Sequence, residues 1–503
     1  MGDASGLRRG SLSRTLIFYE VVLCVVCAAI AAGAELSADQ RAAFLPLVGL
    51  AAVSGAFWIC LSNRDQKSPL FELGSFCMLA TVVYGAIPLV WYILSGAQFS
   101  PLSHQRLYLV NPTPDEFAAI GWMYVVYAAT LAGGYLLLRD RGVAPVQVPL
   151  LATQSQFLVL IFFFCGFQLA FALLSLLYGV QSNVAYNNES LYTSYAAYSQ
   201  LPLAARQIVD WAHAAAVVVN CAIVTILAAR WRDRVWRAVL VGWIVLSIVI
   251  YLISPGGRFL LVSMIVTALL AYDRFVSRIR AGRAFAALAV LFAAFVVAGA
   301  LRGGDSDSLA SAGGELLERT DDLKALFTIS NEFQISYGSA IELKYLAAHG
   351  LLDPAPWQLY ASELLMLVPA QLLPFEKVDP VLWYVGATHD PDFFTYGVIA
   401  QSIMGLSWFE VVLRGLLVGV LLAVVHNWWV RSPASLWRNV FYIWLAVVSY
   451  YTVRNTSLYL ITLVVLRFVP VVLAVQFCVW LLRAVAAKAR ARSTGVGSSE
   501  STS

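Results

Sequence analysis

Long apolar runs separated by short polar or basic links recur along the whole chain. They lie near 16–33, 42–62, 70–96, 117–138, 156–179, 207–229, 236–253, 259–272, 284–301, 407–429, 438–454 and 457–482. A helix that crosses a bilayer needs roughly 20 mostly apolar residues, because its backbone groups must all be satisfied within the segment. On that rule the pattern predicts twelve spanning helices, of which the eighth is short. Glu20 interrupts the first run and no small-residue cleavage site follows it, so it reads as a retained span and not as a signal peptide. The expected fold class is all-α: a polytopic transmembrane helical bundle of about twelve spans.

One stretch breaks the pattern. Residues 302–395 contain acidic and amphipathic segments, GELLERTDDLKALFTI, FQISYGSAIELKYLAAHG and PWQLYASELLMLVPAQLLP, punctuated by six prolines between Pro354 and Pro391. In the last segment Trp357, Tyr360, Leu364, Leu367 and Val368 recur at helical spacing, which suits helices lying on a bilayer surface. The expected organisation is spans one to nine over 1–301, a large outer loop over 302–395, spans ten to twelve over 396–482, and a disordered tail over 483–503. A second loop, SNVAYNNESLYTSYAAYSQLP, is rich in Tyr, Asn and Ser. Aromatic faces and amides suit carbohydrate, and an interfacial belt accounts equally well for any single tyrosine.

Composition agrees with lipid as the solvent: 60% of the 503 residues are hydrophobic, 12% are charged, and the mean hydropathy is +0.76. Charge adds orientation. If Arg8, Arg9 and Arg14 are cytoplasmic, every second link should be basic. Arg64/Lys67, Arg139/Arg141, Arg230 to Arg237, Arg274 to Arg283, Arg431/Arg438 and Arg483 to Arg492 follow that alternation. Both termini are then cytoplasmic. The net charge of +4 is mostly this topological signal and implies no nucleic-acid partner. Some cations escape the rule. Arg206, Arg258, Arg302 and Arg454 fall on the outer side, while Arg414 and Arg467 fall inside spans. Within a span an arginine costs on the order of 2.5–3.5 kcal/mol even on the lenient insertion scale. Arg467 is expected to face the bundle interior, where pairing with Glu20 or Glu72 explains it as well as catalysis does.

The seven cysteines all lie within predicted spans and read as small buried hydrophobes. The sequence contains no HExxH, no Walker-type glycine loop and no strand-linked GxGxxG. The cytoplasmic links are too short to house a nucleotide-binding domain, so a donor or energy source arrives from the membrane or the outer side.

Five segments taken in order resemble a known family: LISPGGRFLLVSM opening a span, SNEFQISYGSAI and MLVPAQLLPFEK in the outer loop, FFTYGVIAQSIMGLSWFEVVLRGLLVGVLL, and YTVRNTSLYL. Together they cover roughly 250–465 and resemble the bacterial oligosaccharide repeat-unit polymerases, the Wzy-type O-antigen polymerases. The resemblance implies a GT-C-like multispan glycosyltransferase of the bacterial inner membrane, with no cofactor and no metal. Such an enzyme transfers a growing glycan from undecaprenyl diphosphate onto the next lipid-linked repeat unit at the outer face. Its partners would be the lipid-linked donor and acceptor, membrane lipids and a chain-length regulator.

That chemistry gives the outer arginines a task. The leaving diphosphate accumulates negative charge, which a planar guanidinium fork stabilises. Arg258, Arg454, Arg302 and Arg206 are the candidates, with Gly256 and Gly257 allowing backbone N–H groups to approach the same anion. Snorkelling to lipid phosphate is the alternative for each. For the base that takes the acceptor's proton, Glu332 of the NEF segment comes first, with His389 and His349 as rivals; a lone loop carboxylate is otherwise a solvated charge. Asp305-Ser306-Asp307 and Asp390-Pro391-Asp392 spell a spacing that can hold a divalent ion, which the resemblance argues against. Other functions in view are an O-antigen ligase and a lipid-linked oligosaccharide flippase or transporter. The ligase usually carries a histidine followed by paired glycines, for which only His349-Gly350 is present, and the flippase usually shows repeated halves.

Overall fold

The computed structural model describes residues 36–64, 72–94, 112–140, 154–178, 203–253, 259–276, 331–353, 355–365, 367–368, 370–378, 396–432 and 435–495, with 279, 286 and 383 besides. Every regular element among them is helical. In chain order these are α1 (Ala38–Arg64), α2 (Leu73–Leu94), α3 (Pro114–Leu138), α4 (Gln154–Tyr178), α5 (Leu203–Ala229), α6 (Arg234–Ile253), α7 (Phe259–Phe275) and α8 (Asn331–Ala348). They continue with α9 (Trp357–Leu364), α10 (Gly397–Met404), α11 (Trp408–Arg431), α12 (Leu436–Val448), α13 (Tyr451–Arg454), α14 (Tyr459–Leu463) and α15 (Val469–Gly495). Five stretches among the described residues are long and apolar enough to cross a membrane: Ala38–Leu61, Leu73–Leu94, Pro114–Leu138, Trp408–Arg431 and Tyr459–Lys488. They mark a helical membrane protein. The predicted first span lies outside the described residues, as does the ninth apart from residue 286.

One compact unit gathers the described residues within Met1–Val146, Ser277–Pro433 and Leu445–Thr462. Its α3 starts where the chain supplies a capping box. Thr113 accepts from the Glu116 amide at 3.3 Å while Glu116 accepts from the Thr113 amide at 3.0 Å, and Pro114 fills the first helical position. Contacts along α3 give the direction of its neighbours. α1 runs parallel to it, with Pro46 beside Gly121, Gly49 beside Val125, and Phe57 near Tyr135. α2 runs antiparallel, from Gly74 beside Tyr135 to Tyr92 stacked on Phe117 at 4.1 Å. α11 is parallel again: Gly415 meets Thr130, Gly419 meets Leu131, and Asn427 donates to the Leu138 carbonyl at 2.7 Å. This alternation is the one the basic links predict. A Cβ at Gly419 would collide with the Leu131 carbonyl oxygen, so the absence of a side chain lets the two backbones touch.

The four long helices place Arg64, Arg139 and Arg431 at one end, hereafter the basic end, and Thr113 at the other. Arg139 is more than a topological cation. It is buried and forks Glu72, Nη2 to Oε1 at 2.6 Å and Nε to Oε2 at 2.9 Å, with the Tyr135 hydroxyl donating to the same carboxylate at 3.2 Å. Glu72, offered above as a partner for Arg467, is thus held by Arg139. Next to it Arg431 donates to Asp140 at 2.6 Å on the surface, and this hydrogen bond holds the Asp140 carboxyl below its ordinary range.

α8, drawn from the predicted outer loop, packs into this unit. The Tyr337 hydroxyl donates to the Phe117 carbonyl at 2.8 Å and its ring stacks on Tyr124 at 5.8 Å. Residues 336 to 343 are buried on all sides, because Ser336, Gly338, Ser339 and Ala340 let neighbours approach closely. A helix lying flat on a bilayer would instead keep one face free.

The second unit gathers the described residues within Gln147–Val276, Ala434–Trp444 and Leu463–Ser503. Trp243 of α6 donates to Asn220 of α5 at 2.7 Å, and Cys221 of α5 meets Thr267 of α7 at 3.1 Å. Phe468 packs among Trp437, Phe441 and Trp444. The predicted span 438–454 divides at Ser449–Tyr450 into α12 and α13. In the following span Val464–Phe468 form a π-helical turn just ahead of Pro470, whose missing N–H breaks the regular ladder. Cys77 and Cys221 are buried as expected, whereas Cys165 is exposed.

Candidate functional site

Three of the sequence segments singled out above meet inside the first unit. Gly397 opens α10 with φ +78°, a left-handed conformation that favours glycine. A Cβ there would stand 3.1 Å from the Ser336 Cβ of α8 and 3.3 Å from the Val453 carbonyl of α13. Helices from SNEFQISYGSAI, GVIAQSIM and YTVR are therefore in contact at one point, although as many as 117 positions separate Ser336 from Val453.

Around this point the polar side chains are buried and incompletely paired. Ser336 Oγ, Gln401 Oε1, Asn455 Oδ1 and Thr456 Oγ1 find no hydrogen-bond partner among the described residues. Buried hydroxyl and amide oxygens of this kind cost about 1–3 kcal/mol each when left unmade, so they are characteristic of places where another molecule supplies the partner. Arg454 ends α13, its guanidinium 5.9 Å from the Tyr451 ring centre. Tyr450, Tyr451 and Tyr459 form an aromatic row, with ring centres 4.3 and 5.5 Å apart. On the opposite side of α13, Cys77 meets the Thr452 hydroxyl at 3.2 Å, and the Tyr127 hydroxyl donates to the Thr452 carbonyl at 3.5 Å.

A charged cluster adjoins this polar one. Arg414, in the second turn of α11, donates from Nη1 and Nη2 to the two oxygens of Glu363 at 2.8 and 2.7 Å, and from Nε to Glu410 at 2.6 Å. Gln401 donates to Glu363 at 2.9 Å, so the charged and polar clusters share a residue. Glu410 also accepts from the Tyr360 hydroxyl at 2.8 Å and from the Leu406 amide at 2.9 Å. All three ionised residues are buried. The costly arginine that the sequence flags is thus neutralised, and its partner lies 51 positions away.

The predicted site residues fall into separate groups. Arg258, Gly256, Gly257, Arg302 and His389, with both DxD segments, lie outside the described residues. Arg206 sits in the first turn of α5, in the second unit, and only its backbone is described. Glu332 is likewise described by backbone alone. It stands one helical turn before Ser336, so its register is that of the α8 face meeting α10 and α13. His349 lies beyond the other end of α8, about 25 Å along the axis from Glu332 at 1.5 Å per residue. It is exposed, with its ring 4.0 Å from Tyr345 and Nδ1 2.8 Å from the Tyr345 carbonyl. The structure therefore brings the Glu332 position and Arg454 to the same helix junction and leaves His349 apart.

Ser336, Gln401, Asn455, Thr456, Glu363 and Glu410 had no role in the sequence reading. In sequence Asn455-Thr456-Ser457 spells no more than a sequon-like triplet, and Thr456 and Ser457 are buried. No protein-family model, no curated protein and no solved structure matches the chain.

Proposed function

We propose that this protein polymerises polyprenyl-diphosphate-linked oligosaccharide repeat units by glycosyl transfer, in a twelve-span fold whose basic end is cytoplasmic and whose α10 and α13 open toward the outer side. The observation that carries the reading is the junction at Gly397. Three of the five segments behind the resemblance come together there, and they present unpaired hydroxyl and amide oxygens, an aromatic row and Arg454. Neutral oxygens with aromatic faces suit sugar hydroxyls, and a guanidinium suits a diphosphate. In this reading Arg454 holds the leaving diphosphate. Glu332 accepts the proton of the attacking hydroxyl as its oxygen bonds to the donor's anomeric carbon, and the bond to the diphosphate oxygen breaks as that oxygen takes up the charge.

Deleting the gene in a host that makes the corresponding glycan tests this. A polymerase defect leaves a single repeat unit on the final acceptor in place of a ladder. A ligase defect leaves full-length polymer on its lipid carrier, and a flippase defect strands single units at the inner face.

A further inference from the structure

We propose that α9 lies inside the bilayer, with its outward face against lipid acyl chains, so that the middle of the predicted outer loop re-enters the membrane. Three independent observations converge on this.

The first is polarity. α9 is inside out for a helix in water: Glu363, Ser362 and Leu359 are buried, while Trp357 and Leu364 are 61% and 71% exposed. Leu365 and Leu367 in the following turn are exposed as well. Between Asp353 and Glu376 the sequence contains one charged residue, Glu363, and it points inward onto Arg414. Such a face has no favourable contact with water and an ordinary one with hydrocarbon.

The second is depth. Gly415 stands beside Thr130, which puts Glu410, five residues earlier, level with about residue 125 of α3. That is roughly 18 Å below the Thr113 end at about 1.5 Å per residue, well within a hydrocarbon core of about 30 Å. Glu363 and Tyr360 are bonded to Arg414 and Glu410, so α9 shares that level. The neighbouring outward residues of α11, Phe409 and Leu413, are exposed in the same way and continue the lipid-facing surface.

The third is the backbone. The sequence from 354 to 374 carries four prolines, all outside α9, and hydrocarbon tolerates irregular backbone only where its polar groups find partners. Side chains supply two such partners beyond α9: Ser362 accepts from the Val378 amide at 2.9 Å, and Lys377 donates to the Val368 carbonyl.

Spin labels report the environment directly. In a background with the native cysteines replaced, Leu364→Cys and Leu367→Cys are labelled separately in reconstituted protein, with Val424→Cys on α11 as the lipid reference and Asp353→Cys as the aqueous one. The expected result at both test positions is collision with oxygen well above collision with a water-soluble nickel complex, as at Val424. Nickel accessibility like that of Asp353 would place α9 in water and overturn the proposal. Protection from both reagents would mean that protein, a second copy included, covers the face, and would overturn it equally.

Discussion

Arg414 closes a two-pronged fork on Glu363, with Nη1 2.8 Å from Oε1 and Nη2 2.7 Å from Oε2, and so ties a helix of the loop to a spanning helix. Glu410, on the third donor, adds a second carboxylate to the same guanidinium. The cluster is buried and sets two carboxylates on one cation, so removing the cation leaves uncompensated charge.

Arg414→Ala is therefore expected to cost about 3–5 kcal/mol, because it leaves two carboxylates facing each other without a cation. Arg414→Lys keeps the charge and loses the fork, and should fall between wild type and alanine. Glu363→Gln leaves the Arg414–Glu410 pair balanced and should be milder than Arg414→Ala. Thermal unfolding in detergent ranks the three. Equal stability of Arg414→Ala and wild type would show that the cluster does not hold the fold.

The α3–α11 contact depends on missing side chains. Gly419→Val should destabilise by at least about 1–3 kcal/mol, since the new atoms meet backbone that cannot turn aside. Gly133→Ala, where a Cβ meets nothing within 4 Å, should be neutral. Yield of folded protein after gel filtration distinguishes them, and an unaffected Gly419→Val would refute the close approach.

Much of the scaffold was legible in the pattern of apolar runs. α1, α2, α3 and α11 begin and end within four residues of the ranges read from sequence, because a spanning helix is bounded by where its apolar run stops. The break at Ser449–Tyr450 was not legible, since the residues on both sides are apolar and no proline or glycine marks it. Arg139 was read as a topological cation because a basic residue after a span looks the same whether it faces water or Glu72. Arg414 was visible as an anomaly, and its partner was not: a fork across 51 positions leaves no periodic trace. Glu332 and Arg454 were nominated separately, and only the turn at Gly397 shows that their helices adjoin.

Surface electrostatics offer a pH test. Arg431 holds the Asp140 carboxyl below its ordinary range, so the folded state gains from this pair above the ordinary aspartate pKa, and the gain is lost as pH falls through the lowered one. Asp140→Asn should be slightly less stable than wild type at pH 7, and the gap should close as pH falls below the lowered Asp140 pKa. A gap that persists in acid would mean that the residue acts through something other than its charge.

At the proposed site, Arg454→Lys retains a cation without a planar fork, and Arg454→Ala removes it. If the guanidinium stabilises the leaving diphosphate, alanine should lower turnover on the order of 10²–10³-fold and lysine should recover only part of it. Glu332→Gln should lower turnover by about 10²–10⁴-fold with donor binding retained. Chain-length profiles at matched protein levels read both. A lysine variant with full ladders would reduce Arg454 to a lipid anchor.

The most direct measurement is polymerisation by the purified protein in liposomes supplied only with undecaprenyl-diphosphate-linked repeat units. The account predicts a ladder of lengthening glycans on lipid, with one undecaprenyl diphosphate released per added unit and both products absent with Glu332→Gln. Repeat units that stay single in the presence of folded wild-type protein would contradict it.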